Sequence, residues 1–158
     1  MKDITIIKPL IGIGPFRFGI GADDLSALIG PADNYEYIES GETEVWEYEE
    51  FGINVSFDRI KDELTSVLCY NPNMTLENYP LVFMPELQLQ MLLTEAGLSF
   101  RVETDVDEAG LEKIFNIDLL GMLLSIEGGQ VGRFLMLPEY NDDNKIKIPE
   151  TESTYFTK

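Results

Sequence analysis

No histidine occurs in this chain, and Cys69 is its single cysteine. The first absence removes Ser-His-Asp and Cys-His catalysis and every metal set that needs an imidazole. The second excludes an intrachain disulfide and suits a reducing compartment. No apolar run approaches the roughly 20 residues of a membrane-spanning helix. The opening residues Met1 to Lys8 lack the apolar stretch of a signal peptide. These features predict a cytoplasmic protein. Positive charge is also scarce: 29 acids stand against 11 bases, for a net charge of −18. Nucleic acid and anionic membranes need a basic surface and are excluded as partners.

The scarcity is sharpest between Arg17 and Arg59, where there is neither lysine nor arginine. The same stretch holds Asp23, Asp24, Asp33, Glu36, Glu39, Glu42, Glu44, Glu47, Glu49, Glu50 and Asp58. These carboxylates cannot neutralise one another; they repel, and their field attracts a basic partner. Aromatic residues are interleaved with them. Tyr35 and Tyr37 flank Glu36, while Trp46 and Tyr48 alternate with Val45, Glu47 and Glu49. Tyrosine supplies rigid contact area and the acids steer the encounter. The candidate partner-binding residues are therefore Glu36, Glu39, Glu42, Glu44, Glu47, Glu49 and Glu50, with Tyr35, Tyr37 and Tyr48 as anchors. Trp46 is assigned to the core. The competing reading is that the charge serves solubility alone.

The length, 158 residues, fits one domain or two small fused halves. A chain of this size buries roughly 68–70% of its unfolded surface and needs no staple. Two segments match: Gly52-Ile53-Asn54-Val55-Ser56-Phe57-Asp58 and Gly121-Met122-Leu123-Leu124-Ser125-Ile126-Glu127. Apolar side chains at every second place read as strands with one buried face. Each leads through a turn (Arg59 to Glu63, or Gly128-Gly129-Gln130) into another strand, starting at Leu64 or Val131. Each hairpin has a helix upstream. Ala22 to Ile29 carries Asp23 and Asp24 in its first turn and stops at Gly30-Pro31. Pro85 to Ala96 starts on proline and stops at Gly97. Further strands are read at Tyr35 to Ile38, Thr43 to Glu49, Leu98 to Thr104 and Leu111 to Ile117. The expected fold is α+β, a tandem repeat of a short helix followed by an antiparallel sheet. Its first half covers residues 1–75 and its second 76–140. Residues 141–158 form a polar edge strand and a mobile tail. A single irregular α+β domain is the alternative.

No motif supports catalysis. Gly12 to Gly21 lacks the third glycine of a dinucleotide fingerprint and any Gly-Lys-Ser or Gly-Lys-Thr, so its glycines read as turns. Asn141 to Asn144 lacks the spacing of a calcium loop. Cys69 alternates with Val67 on a strand and reads as core. No catalytic residue, metal ligand or cofactor is assigned.

The run from Gly14 through the helix Ala22–Ile29 to Gly30-Pro31 and Asp33 resembles the BamE-like modules. It is also similar to the β-lactamase inhibitor protein, which has two helix-then-sheet modules in tandem; here Gly30-Pro31 replaces the usual Gly-x-Pro. Small acidic chains of this kind also resemble bacterial immunity proteins. The resemblance implies a non-enzymatic inhibitor of a secreted toxin. Together with the acidic stretch it makes the expected function that of an immunity-type protein that neutralises a basic toxin domain. A nuclease is the natural candidate, because such an enzyme needs a positive surface for its own substrate. Two alternatives stay open: a structural or assembly module that binds by sheet edges, and an enzyme working with carboxylates alone.

Overall fold

The computed structural model describes residues 5–38, 41–107 and 110–156. Eight strands carry the fold: β1 (Asn34–Ile38), β2 (Thr43–Tyr48), β3 (Ile53–Asp58), β4 (Glu63–Cys69), β5 (Arg101–Asp107), β6 (Gly110–Ile117), β7 (Met122–Glu127) and β8 (Gln130–Met136). They form one antiparallel sheet in the order β5-β6-β7-β8-β4-β3-β2-β1. Helices α1 (Ala22–Ile29) and α2 (Glu86–Glu95) are the two α-helices among the described residues. Neither is long and apolar enough to cross a membrane.

The alternation in the sequence sets which face is buried. In β3, Ile53, Val55 and Phe57 point inward and Asn54, Ser56 and Asp58 outward; in β7, Met122, Leu124 and Ile126 point inward. Leu25 of α1 and Leu89, Leu92 and Leu93 of α2 pack on this face, joined by Met74, Leu76, Leu81, Val82 and Met84 from the segment between the sheet halves. Ile7, Ile13 and Phe16, from a small three-stranded sheet at residues 7–17, complete the layer. Each large apolar side chain fully buried here, such as Phe57, Phe115 or Phe134, contributes about 1.5–3 kcal/mol relative to exposure.

The expected fold class is corrected. The structure is mainly β, and its strands do not divide into two helix-plus-sheet units. The last strand of each meander pairs with the other: Phe134, Leu135 and Met136 of β8 lie beside Cys69, Leu68 and Val67 of β4. Val67, Cys69, Phe134 and Met136 are all fully buried, so one core runs across the join. The physical reason is that two separate sheets would leave both of these apolar strands as open edges. The sequence match between Gly52–Asp58 and Gly121–Glu127 marks a shared corner within this one sheet. At both places a three-residue 3-10 turn ends in a left-handed glycine, and a strand follows whose pairing slips after Ser56 or Ser125.

The C-terminal segment also departs from expectation. Glu139–Tyr140 pairs with Ile146–Lys147 as a short hairpin. The residues read as a mobile tail are tied down through residue 156. The backbone N–H groups of Tyr155 and Phe156 donate to the Glu77 carboxylate, at 2.7 and 3.2 Å, and the Phe156 ring meets Tyr79 edge-on.

Candidate protein interface

Cross-strand partners in a sheet share a face. The register therefore sorts the acidic segment into two sides. Glu36 pairs with Val45, and Val45 with Ser56; Asn34 pairs with Glu47, and Glu47 with Asn54. Glu36 and Glu47 thus lie on the outer face, away from the helices. Tyr35 pairs with Trp46 and Tyr37 with Glu44, whose partner in β3 is the buried Phe57. Tyr35, Tyr37 and Glu44 consequently lie on the helix side.

At one end of the outer face the acids converge. The Asn34 side-chain amide donates to Glu47 Oε1 at 2.8 Å and to Glu49 Oε1 at 3.5 Å. Asp33 Oδ2 accepts the Glu49 N–H at 2.8 Å. Tyr70, the residue after β4, has its phenol pushed upward, first by burial and then by the charges of Glu47, Glu49, Cys69 and Asp33. Two carboxylates therefore share the Asn34 amide, a third accepts the Glu49 N–H beside them, and Tyr70 lies within their field; Glu36 is on the same side of the sheet. Among the described residues none of these four acids has an ion-pair partner. The acids of the second half differ: Arg133 pairs with Glu112 and Glu127, and Lys113 with Glu86.

The other candidate residues are placed elsewhere. Glu44 pairs with Arg59 Nε at 3.6 Å, and the Arg59 guanidinium lies 4.9 Å from the centre of the Tyr37 ring. The chain returns a cation to the end of the segment that had none, because β3 is antiparallel to β2 and its exit turn lies beside the β1–β2 hairpin. Glu42 is exposed just before β2, and Glu50 is exposed in the 3-10 turn Glu49–Phe51. Glu39 lies outside the described residues. Tyr35 and Tyr37 are 48% and 59% exposed.

Tyr48 is a correction. It is 3% exposed and cannot anchor a partner. Its ring packs against Phe16 at 5.4 Å and its hydroxyl donates to the Gly30 carbonyl at 3.2 Å. Parity accounts for this: Tyr48 shares the inward face with Trp46, which is itself buried. Sequence reading missed Asp33 and Asn34 as members of the site. The signal for Asn34 was present, since it continues the outward series of β1 two residues before Glu36; Asp33 precedes the strand and joins only through the Glu49 N–H.

No protein-family model and no curated protein matches this chain. Among solved structures it is similar to an extracellular protein containing a SCP domain from Bacillus anthracis str. Ames. The identity is 11% and the TM-score 0.48, over 77% of this chain and 44% of that one. The chain thus spans less than half the length of that protein, a likeness too loose to assign a fold or a function.

Proposed function

We propose that this chain is a non-catalytic binding protein whose outer sheet face, at the β1–β2 end, takes a basic protein. The observation that carries the reading is the grouping of three carboxylates at one end of the sheet: Glu47 and Glu49 share the Asn34 amide and Asp33 accepts the Glu49 N–H, with Glu36 on the same side and no cation paired to any of them among the described residues. Carboxylates held together in this way keep their mutual repulsion in the free protein. A partner's Lys and Arg side chains relieve it on binding. Neither the fold nor the comparisons support an immunity or toxin-inhibitor role, so the reading stops at the chemistry of the partner.

The test is capture of basic proteins from the cells that make this chain, at low and high salt. The association rate of each retained protein is then measured against ionic strength. Glu36→Gln, Glu47→Gln and Glu49→Gln are combined in one variant that keeps side-chain shape. Association is expected to slow by about tenfold or more between low and high salt, and the variant to lose most of that dependence. An association rate indifferent to both salt and the variant overturns the reading.

A further inference from the structure

β1 ends the sheet, and all five of its residues are exposed. The direction of its backbone groups follows from the register. The Arg59 N–H donates to the Glu42 carbonyl at 2.9 Å, one step before the Thr43–Asp58 pair. Antiparallel pairs alternate between those that exchange hydrogen bonds and those that do not. Counting from Glu42, residues Glu44, Trp46 and Tyr48 bond β3, so Thr43, Val45 and Glu47 turn their backbone groups to β1. The Asp33 N–H on the Glu47 carbonyl, at 2.8 Å, agrees. The β1 partners of those three are Ile38, Glu36 and Asn34. Tyr35 and Tyr37 are left with their N–H and C=O groups directed off the sheet.

Edge strands are normally blunted by lysine, proline or a bulge. Asn34–Ile38 contains neither lysine nor proline, and its register with β2 has no slip. The charge it does carry selects the occupant. If a second copy paired antiparallel here through Tyr35 and Tyr37, the longest overlap would place Glu36 opposite Glu36. That pair falls in the closer, non-hydrogen-bonded geometry, with Cα atoms about 4.5 Å apart, where like charges oppose pairing. A strand with a basic residue at that place gains attraction instead. Its two flanking residues turn inward beside the Tyr35 and Tyr37 rings, where apolar side chains fit.

We infer that β1 is a docking edge that takes an extended segment of a basic protein as a ninth strand, with Lys or Arg opposite Glu36 and apolar residues opposite Tyr35 and Tyr37. This rests on the basic-partner reading above and adds the place and the mode of binding.

The probe is a blocked heptapeptide alternating valine and lysine, with a valine–glutamate peptide of equal length as comparison. Binding is followed by emission of Trp46, which lies under Tyr35, and by amide hydrogen exchange. The lysine peptide is expected to slow exchange at the Tyr35 and Tyr37 amides by about tenfold or more, while the glutamate peptide leaves them unchanged. Glu36→Gln is expected to weaken binding at least about threefold. Tyr37→Pro removes an outward N–H without touching the bonds to β2 and is expected to abolish binding. Tyr37→Leu, which keeps that N–H, retains it. The folded state of each variant is checked by its Trp46 emission without peptide.

The inference is overturned if the lysine peptide does not bind. It is equally overturned if the peptide binds with the Tyr35 and Tyr37 amides unaltered, or if Tyr37→Pro binds as wild type does. A basic protein whose association still depends on salt and on the three glutamates would leave the broader reading standing in each of those cases. Failure of that salt dependence removes both.

Discussion

The ring of Tyr35, on the exposed edge strand, stands edge-on to the buried indole of Trp46, with centroids 5.2 Å apart and planes at 78°. Phe57 backs the same indole from β3, at 4.6 Å. The chain has no other tryptophan, so its emission reports this one place. Tyr35→Ala should shift Trp46 emission to the red, raise quenching by acrylamide and cost about 1 kcal/mol, in the range of an aromatic pair. Tyr35→Phe removes only the hydroxyl that accepts the Ala32 N–H at 3.1 Å, so emission should stay near wild type. Unchanged quenching in Tyr35→Ala would show that this ring does not shield the indole.

Alkaline pH should unfold the protein earlier than its carboxylates alone would suggest. Burial, with smaller additions from Tyr35 and Asp33, raises the Tyr48 phenol from 10.0 to about 12. Burial raises the Cys69 thiol from 9.0 to about 11, against a small opposite effect from a hydrogen bond with the Asn71 backbone. Both groups ionise more easily in the unfolded chain. Their contribution is therefore complete below the lower unfolded value and is lost as pH rises from about 9 toward 12. Urea midpoints measured from pH 7 to 11.5 should fall in that window. Tyr48→Phe should flatten the part above pH 10, at a cost of about 1 kcal/mol at neutral pH for the lost bond to the Gly30 carbonyl. An equal slope in wild type and variant would refute the assignment to Tyr48.

Gly121 should tolerate alanine worse than Gly128 does. Both have φ of 62°, in the left-handed region that costs an L-residue roughly 1–2 kcal/mol. A Cβ on Gly121 would also stand 2.5 Å from the Leu137 carbonyl oxygen and 2.8 Å from Leu10 Cδ2, whereas one on Gly128 meets open space. Chemical denaturation of Gly121→Ala and Gly128→Ala should therefore differ by about 1 kcal/mol or more, with Gly121→Ala the less stable. Equal losses would mean that backbone strain alone decides.

Glu77 should hold the C-terminal segment in place. Its carboxylate accepts both the Tyr155 and Phe156 N–H groups, and Lys8 pairs with Glu152 at 2.8 Å in the same stretch. Hydrogen bonds to a charged group contribute about 1.5–3 kcal/mol when well made, while an exposed ion pair contributes at most about 1 kcal/mol. Glu77→Ala should therefore speed proteolysis in residues 149–156 far more than Lys8→Ala does. Equal cleavage rates in the two variants would reject Glu77 as the latch.

Local order was legible because it depends on near neighbours. The helix over Ala22–Ile29 follows from its early aspartates and its Gly-Pro stop, and α2 forms one residue inside the expected Pro85–Ala96 at each end. The strands follow from period-two alternation, and the Gly128-Gly129 turn from glycine's tolerance of positive φ. The error about Tyr48 was one of parity. Its neighbour Trp46 was assigned to the core, and a residue two places along a strand shares that face. The acidic character of residues 18–58 was likewise plain, but its division between two faces was not.

Composition and spacing alone determined that this chain is strongly acidic, lacks imidazole chemistry, and builds two short helices and most of the large sheet's strands near their observed places. The strand expected at Leu98 to Thr104 forms instead at Arg101–Asp107, and the exposure of all of β1 was not foreseen. Tertiary structure decided that β4 and β8 join to make one sheet. It brought Arg59 back onto Glu44 and Tyr37, and it set Glu47 and Glu49 on the Asn34 amide with Asp33 on the Glu49 N–H. The reason is range. Alternation, caps and turns act over a few residues, whereas strand pairing across the join and the meeting of charges distant in sequence depend on contacts that exist only once the core has closed.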